Sequence, residues 1–497
     1  GASVLALDPL DEATLRQLME LQAGSGRRNA ALQQYRHFAD LLRHELDTAP
    51  EAETRALHQR LLRDPPRSAT PPEPLRLARA PVRPPEVVVA RFGADAGDAA
   101  ARAVADELRD DLLTALTRRR GLRVLTEAGD GLVADPRAQD RRYLVEAGVR
   151  IRAAEVVVTA RLMDAGDRSC LWSERCAGPP DRLLGPEVPL AQRLAVSFVR
   201  EIEVAEARKA AGTEPDALDA WSHYHLALHH LYRFSLPGLN AAHAHLQRAV
   251  ALDPGLAVAH ARLAYAHLQM YWYGPPEARD ESLDRSQLAA LQAVGLDAKD
   301  ARGHFALGRL FAIRREFDMA IPEFETAIGL DPSFAQASFG LGQALAAAAQ
   351  PASSVPFLDR AIDLDPHDPH LWTFYHDRAE ARFALGDLAE AAKNSKVAVR
   401  LPNASHFAWA TLASVLGVAG DQENAGRALA RLRLFRPGYS LDHAVAELAH
   451  HANRLFVGDY LAGLELAGLG HEQPGTADED GRQADQGPLL TGQGPLF

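Results

Sequence analysis

The sequence predicts a mainly α-helical chain: a helical bundle, a small α/β domain, then an α-solenoid of about six helical hairpins. Three observations predict it. One string recurs at a fixed interval in the second half, a proline-rich stretch sets off the first 63 residues, and short apolar runs alternate with helical spacing between them. The 497 residues are enough for roughly three domains at about 150 residues each. Apolar residues make up 47% and charged residues 24%, a globular composition able to build sizeable cores.

In residues 1–63, Leu7-Asp8-Pro9 ends one hairpin. Leu15, Leu18, Met19 and Leu21 form one helix face, and Ala31, Leu32, Tyr35, Phe38, Leu41 and Leu42 form the next. Gly24 and Gly26 break between them. Thr48-Ala49-Pro50-Glu51 starts a third helix carrying Leu57, Leu61 and Leu62. Residues 64–85 are dense in proline (Pro65, Pro66, Pro71, Pro72, Pro74, Pro81, Pro84, Pro85), which excludes helix or inner strand and reads as a semi-rigid linker.

Residues 86–207 read as the α/β domain. Val87–Phe92 is a buried strand, and Ala103, Leu108, Leu112, Leu113 and Leu116 give residues 98–119 helical spacing, stopped at Gly121. Leu122–Thr126 is a second strand, residues 137–147 a helix, and Val156–Leu162 a strand. A turn at Asp164-Ala165-Gly166-Asp167 returns the chain into Cys170–Arg175, with Trp172 mid-strand. A helix over 188–208 closes the domain.

From 216 to 440 the string Ala-x-x-Leu-Asp-Pro recurs at Ala249–Pro254, Ala327–Pro332 and Ala361–Pro366. Ala293–Asp297 is a copy followed by Ala298, and Ala398–Pro402 is a degraded one. Leu296, Leu330 and Leu364 stand 34 apart, as do Gly308 and Gly342. From Ala301, small and aromatic positions alternate: Gly308, Phe311, Ala320, Phe324, Ala327, then Pro332. Two antiparallel helices pack closely where a small residue meets a ring, each hairpin leaves an apolar face for the next to cover, and proline ends the second helix. Units start near residues 220, 257, 301, 335, 372 and 406. The second has about ten extra residues, around Tyr271–Asp280, read as a loop with exposed aromatics Tyr271, Trp272 and Tyr273. Residues 441–469 read as a capping helix and the polar, aperiodic 470–497 as a disordered tail.

The net charge is −12, which disfavours nonspecific binding to nucleic acid or to an anionic membrane. Residues 1–64 carry 8 Arg against 10 Asp plus Glu, so no basic stripe meets phosphates. Only Lys209, Lys299, Lys393 and Lys396 are lysine, a skew of codon usage and not of function. The two cysteines, Cys170 and Cys176, exclude a disulfide framework and an all-cysteine zinc site, and read as structural. No apolar run reaches the length of a membrane helix and no signal segment precedes the first helix, so the chain reads as cytoplasmic with no membrane partner.

No phosphate-binding GxxxxGK[ST] loop, HExxH, GxSxG or kinase set occurs, and Gly340-x-Gly342 lies inside a repeat helix, where it serves packing. The chain is therefore expected to be no enzyme, with no cofactor and no resident metal. One cluster stands apart: His223, His225, His229, His230, His243, His245, His260 and His267. His225 and His229 share a helix face at i,i+4, and His243 or His245 lies opposite on the paired helix. The cluster fits a metal, a pH sensor, or hydrogen-bonded helix side chains.

The repeats resemble the tetratricopeptide family over about residues 216–440. That resemblance implies a concave face for a protein or peptide partner, lined by Arg302, Phe305, Arg309, Gln336, Phe339, Gln343, His376 and Glu380; Arg and aromatics are common anchors of such partners. Leu162–Cys176, after Val87–Phe92 and the Leu108–Leu125 helix and strand, resembles the TolB-like amino-terminal domain family. The stretch between Val149 and Val156 is about seven residues shorter than that pattern, which predicts one strand missing or merged. Leu7–Leu62 resembles the carboxyl-terminal part of the bacterial transcriptional activator domain, which in its family follows a DNA-binding winged helix. The three resemblances imply the regulatory and interaction part of a bacterial transcriptional regulator. DNA would be met through an absent upstream domain, and the activator-domain remnant would contact RNA polymerase or a second copy of the chain. The TolB-like and repeat portions fit equally the carboxyl-terminal part of an adenylyl-cyclase-like signalling protein.

Overall fold

The computed structural model describes residues 50–63, 83–95, 97–126, 141–152, 155–185, 188–233 and 235–471, with Glu12, Leu15, Arg16, Met19, Tyr35 and Phe38. Most of the expected linker, the tail from residue 472, and Leu18, Leu21, Ala31, Leu32, Leu41 and Leu42 lie outside the described residues. The chain divides into two units, Gly1–Ala80 and Pro81–Phe497.

In the first unit, Leu15, Met19, Phe38 and Leu57 are buried against one another, and Tyr35 packs on them. Leu57 belongs to helix α1 (Ala52–Arg63). The Tyr35 ring stacks on His58 at 3.8 Å. The start of α1 is held by side chains from the first expected helix. The Glu12 carboxylate accepts the Glu51 N–H at 2.9 Å, and Arg16 reaches the Glu51 carboxylate at 2.8 Å and Thr54 Oγ1 at 3.0 Å. Three apolar faces thus close on one small core.

The second unit opens with a mixed sheet. Its strands are β1 (Glu86–Val89), β2 (Gly93–Ala94), β3 (Arg123–Thr126), β4 (Arg142–Arg152), β5 (Glu155–Asp164) and β6 (Cys170–Gly178), in the order β3-β1-β4-β5-β6 with β2 alongside β4. β1 pairs in parallel with β3 and β4, and β4–β5–β6 is antiparallel. Helices α2 (Ala99–Thr117) and α4 (Leu190–Ala211) share one core with the sheet, and a single turn, α3 (Pro180–Leu183), precedes α4. Asp98 caps α2, its carboxylate accepting the Ala101 N–H.

Two expectations fail here. Residues 142–147 are strand, not helix. Tyr143, Val145, Ala147 and Val149 are buried while Leu144, Glu146 and Gly148 are half-exposed, the two-residue period of a sheet with one covered face. Nor is a strand missing between Val149 and Val156: β4 and β5 pair from Tyr143↔Asp164 to Arg152↔Glu155, so the short spacing is a hairpin between two long strands. Ten paired residues outweigh the weak helical preference of Leu, Glu and Ala in this stretch.

Twelve helices then form six antiparallel hairpins. They are α5 (Ala220–Leu231) with α6 (Leu236–Leu252), α7 (Ala257–Tyr273) with α8 (Arg279–Leu296), and α9 (Ala301–Ile313) with α10 (Phe317–Leu330). α11 (Ala335–Ala347) pairs with α12 (Pro351–Leu364), α13 (Leu371–Ala384) with α14 (Leu388–Ala398), and α15 (His406–Val418) with α16 (Gln422–Phe435). Tyr271, Trp272 and Tyr273 form the last turn of α7 and not a loop, although Trp272 and Tyr273 are exposed as expected. The small-facing-ring rule is literal at Phe324, which is fully buried. A Cβ on Gly308 would lie 2.9 Å from its ring, and one on Gly340 2.4 Å, so one phenylalanine fits only because two inner helices present glycine.

The sheet domain and the solenoid are joined through the repeat motif. Asp297, Asp331 and Asp365 follow the second helix of three successive hairpins, and each meets an arginine of the α/β domain. Arg120 reaches Asp297 at 2.5 Å, Arg119 reaches Asp331 at 2.9 Å, and Arg200 of α4 reaches Asp365 at 2.5 Å. The same aspartates build their own turns, accepting the backbone N–H of Lys299, Ser333 and His367. Arg119 also donates to the Ser333 carbonyl at 2.8 Å. The pairs differ in solvation: Arg119 and Asp331 are buried, whereas the Arg120 side chain is 45% exposed.

Two predictions follow from this packing. Gly340→Ala forces the Phe324 ring to move and lowers stability by about 1–3 kcal/mol, read as a lower urea midpoint with an unchanged slope. Arg119→Ala strands a buried carboxylate and costs about 3–5 kcal/mol, whereas Arg120→Ala costs under about 1 kcal/mol in the same measurement.

Candidate functional site

A 34-residue repeat places residues 34 apart at equivalent points of successive inner helices. Arg309, Gln343, Asp377 and Thr411 form one such row on α9, α11, α13 and α15. Arg309 donates to Gln343 Oε1, and Gln343 Nε2 donates to Asp377 Oδ2 at 2.6 Å. Arg302, Gln336 and His370 form a second row. Gln336 Nε2 lies 3.4 Å from both His370 Nδ1 and Asp368 Oδ2, and His370 Nε2 lies 3.3 Å from Tyr265 Oη. Gln269 of α7 donates to the same tyrosine oxygen at 2.9 Å.

The first row runs through an acidic cluster with imidazole. His376, Asp377 and Glu380 lie within one turn of α13. His376 Nε2 is 3.5 Å from Glu380 Oε1 and 3.7 Å from Asp377 Oδ1. Thr411 Oγ1 lies 3.2 Å from His376 Nδ1, 3.2 Å from Glu380 Oε1 and 3.0 Å from Tyr460 Oη. Burial pushes Asp377 up to about 7. Burial, then the neighbouring Asp377, raises Glu380 well above the usual carboxylate range.

The carboxyl end of the unit reaches this cluster. The expected single capping helix over 441–469 is two helices, α17 (Leu441–Glu447) and α18 (Arg454–Leu466), with a crossing segment between them. In that segment the Ala452 N–H donates to the Ala347 carbonyl at the end of α11, 2.7 Å away, and His451 Nε2 lies 3.8 Å from Glu380 Oε2. α18 lies against α15 so closely that a Cβ on Gly417 would be 2.1 Å from the Gly463 carbonyl.

A family model described as the bacterial transcriptional activator domain matches residues 2–62. A curated relative, "Putative adenylate cyclase 3" of Rhizobium meliloti, is 28% identical over 276 residues, which is 52% of this chain. The chain spans 44% of that relative's length. Among solved structures, pilF of Pseudomonas aeruginosa is 17% identical with a TM-score of 0.34, covering 44% of this chain and 93% of that one. A thermophilic tetratricopeptide protein of Thermus thermophilus is 17% identical with a TM-score of 0.33, covering 40% and 98%.

The residues expected on an open concave face divide. Arg309, Gln336 and Gln343 are half-buried members of the two rows. His376 and Glu380 belong to the cluster on α13, which His451 and Tyr460 approach. Phe305 and Phe339 are interior and present no face to a partner. Phe305 packs on Phe334, ring centres 5.1 Å apart, and Phe339 stacks on Phe374 at 4.5 Å. Arg302 is buried too, 3.6 Å from Asp300 and 4.0 Å from Glu203 of α4. Two causes act: Phe305 and Phe339 fill the interface between repeats, while Glu203 of α4 approaches Arg302 and residues 448–466 approach the cluster on α13. Asp377, Thr411 and His370 were missed, yet adding 34 to Gln343, Asp377 and Gln336 finds them. A step of 34 from residue 335 puts the fifth unit at 369, three residues before the expected 372. His451 carries no such signal, because only the tertiary fold brings it to α13.

The histidine cluster resolves into pairs. His225 is buried, and its Nδ1–H donates to the Trp221 carbonyl at 2.8 Å, while His229 Nε2 accepts from Arg233 at 3.0 Å, so the i,i+4 pair does not converge on one point. His223 meets His245, Nδ1 to Nδ1, at 2.9 Å, and His243 meets His267 at 3.4 Å. Burial, then Arg141, pushes His225 down to about 3. A depressed imidazole means that the folded chain binds fewer protons than the unfolded one below the ordinary histidine range. Its contribution to stability is therefore full above about pH 6.5 and lost as pH falls toward 3. His225→Gln is expected to remove about 2–3 kcal/mol of the stability lost between pH 7 and pH 4, measured as the difference in pH dependence of urea unfolding.

Proposed function

We propose that this chain is the regulatory and protein-interaction part of a bacterial transcriptional regulator. The activator-domain match over residues 2–62 carries the reading. In it, residues 1–63 contact RNA polymerase or a second copy of the chain. The α/β domain, read as TolB-like, and the solenoid receive a signal or a protein partner. Contact with DNA belongs to another domain of the regulator, because residues 1–64 hold 8 Arg against 10 acidic residues and offer phosphates no basic stripe. The polar rows on the inner helices suit an extended peptide whose amides and charged groups replace the existing hydrogen bonds.

The experiment is a tethered reporter. Fused to a heterologous DNA-binding domain, the chain is expected to raise transcription several-fold from a promoter bearing that domain's site, and deletion of residues 1–63 to abolish the effect. Equal reporter output with and without residues 1–63 would overturn the reading. The relative named as an adenylate cyclase favours a second reading, in which the same α/β and repeat portions regulate a cyclase domain. That reading expects the chain to change cyclic AMP formation by such a domain when the two are joined, and to leave the reporter silent.

A further inference from the structure

Among the described residues one group of three side chains is disposed to share a cation: His376, Asp377 and Glu380, whose nearest ligand atoms all lie within 4.8 Å of one another. The spacing itself is informative. His376 Nε2 stands 3.5 Å and 3.7 Å from the two carboxylates, longer than a hydrogen bond between nitrogen and oxygen. Ligands about 2.0–2.2 Å from a tetrahedral zinc ion are separated by about 3.3–3.6 Å. The outer contacts fix the orientation such a site needs. Thr411 holds His376 at Nδ1, which leaves Nε2 directed at the carboxylates. Gln343 holds Asp377 at Oδ2, which leaves Oδ1 facing the histidine. Histidine ligands are oriented in this way, through the ring nitrogen that does not bind metal.

Charge points the same way. Two carboxylates one turn apart on α13 are buried, with side chains 8% and 11% exposed; among the described residues no Arg or Lys forms an ion pair with either, and Arg309 acts on Asp377 only from beyond Gln343. Removed from water, such a pair needs protons or a cation. His451 comes from the segment between α17 and α18, and its Nε2 is 3.8 Å from the second oxygen of Glu380.

We propose that His376, Asp377 and Glu380 bind one divalent transition-metal ion of the zinc class, with His451 as a fourth group that closes the crossing segment over α13. The donor set of imidazole nitrogen and carboxylate oxygen suits zinc or cobalt better than calcium or magnesium, which take oxygen ligands. Metal occupancy then fixes residues 448–453 against the inner helices and keeps that end of the solenoid closed. This goes beyond the regulatory reading and does not depend on it.

The test uses the untagged full chain. Cobalt titration followed by visible absorption, and zinc titration by calorimetry, are expected to give one site per chain. Glu380→Gln, which keeps the side-chain shape, and His376→Asn are each expected to weaken it at least about tenfold, as is Thr411→Val through the histidine it orients. His451→Ala is expected to weaken zinc binding and to abolish zinc-dependent protection of residues 448–453 from hydrogen exchange. His245→Ala, in the separate pair with His223, is expected to leave the site intact. Absence of stoichiometric cobalt or zinc binding overturns the proposal. So does binding that survives both Glu380→Gln and His376→Asn, or binding lost only in His245→Ala.

Discussion

A carboxylate that ends a helix can serve two parts of the molecule, and Asp297, Asp331 and Asp365 each carry two obligations, on separate oxygens in Asp297 and Asp331 and both on Oδ1 in Asp365. One obligation is local: the backbone N–H two residues on closes the turn into the next hairpin. The other is an arginine from the α/β domain, more than 160 residues earlier in the chain. A motif required for the repeat thereby also becomes a docking ladder. Because the ladder has the period of the solenoid, a sheet domain carrying Arg119, Arg120 and Arg200 can meet three repeats only if the hairpins keep their stacking. The buried rung, Arg119–Asp331, contributes most to that dependence, since neither charge can return to water without separating the layers.

Legibility in the sequence followed the range of the interactions. The hairpins could be read because their determinants are short in sequence and repeated: Gly308 against Phe324, an alanine every few residues, an aspartate at each end. The β4–β5 hairpin was half legible. Val156–Leu162 has the β-branched content of a strand, but Tyr143-Leu144-Val145-Glu146-Ala147 fits a helix as well as a strand until the opposite strand pairs with it. The arginine ladder left no trace, because nothing near Arg119 or Arg200 signals an aspartate in a distant repeat. In the candidate site the row Arg309–Gln343–Asp377–Thr411 was present as arithmetic. His451 and Tyr460 were not, for they arrive with a segment whose own pattern reads as one continuous helix.

The aromatic residues assigned to the concave face show where a family pattern stops. Phe305 and Phe339 occupy inner-helix positions, but their rings fill the interface between repeats and so stabilise stacking. On α9, α11 and α13 the two rows are polar, and much of each row is already hydrogen-bonded along its length. In the proposed reading a partner on these rows would replace Gln343 and Asp377, or Gln336 and His370, as hydrogen-bond partners of each other, which selects for hydrogen-bonding geometry.

The closed carboxyl end sharpens that selection. Residues 448–453 and α18 cover His376, Asp377 and Glu380 through a hydrogen bond to Ala347, a histidine near Glu380, hydrogen bonds of Tyr460 with Thr411 and Ser414, and a glycine-on-glycine crossing of α15. The crossing is the tightest of these and anchors α18, while the segment before it adds the buried Leu448 and the His451 ring, whose centre lies 5.0 Å from that of Phe456. Opening of 448–453 with α18 left in place must lift Leu448 out of the terminal core and the His451 ring off Phe456. Such opening exposes two carboxylates and a histidine together, so the same event that admits water also changes the protonation of the cluster. Segment position and cluster charge are for that reason one equilibrium: whatever neutralises Asp377 and Glu380, a proton or a cation, favours the closed arrangement.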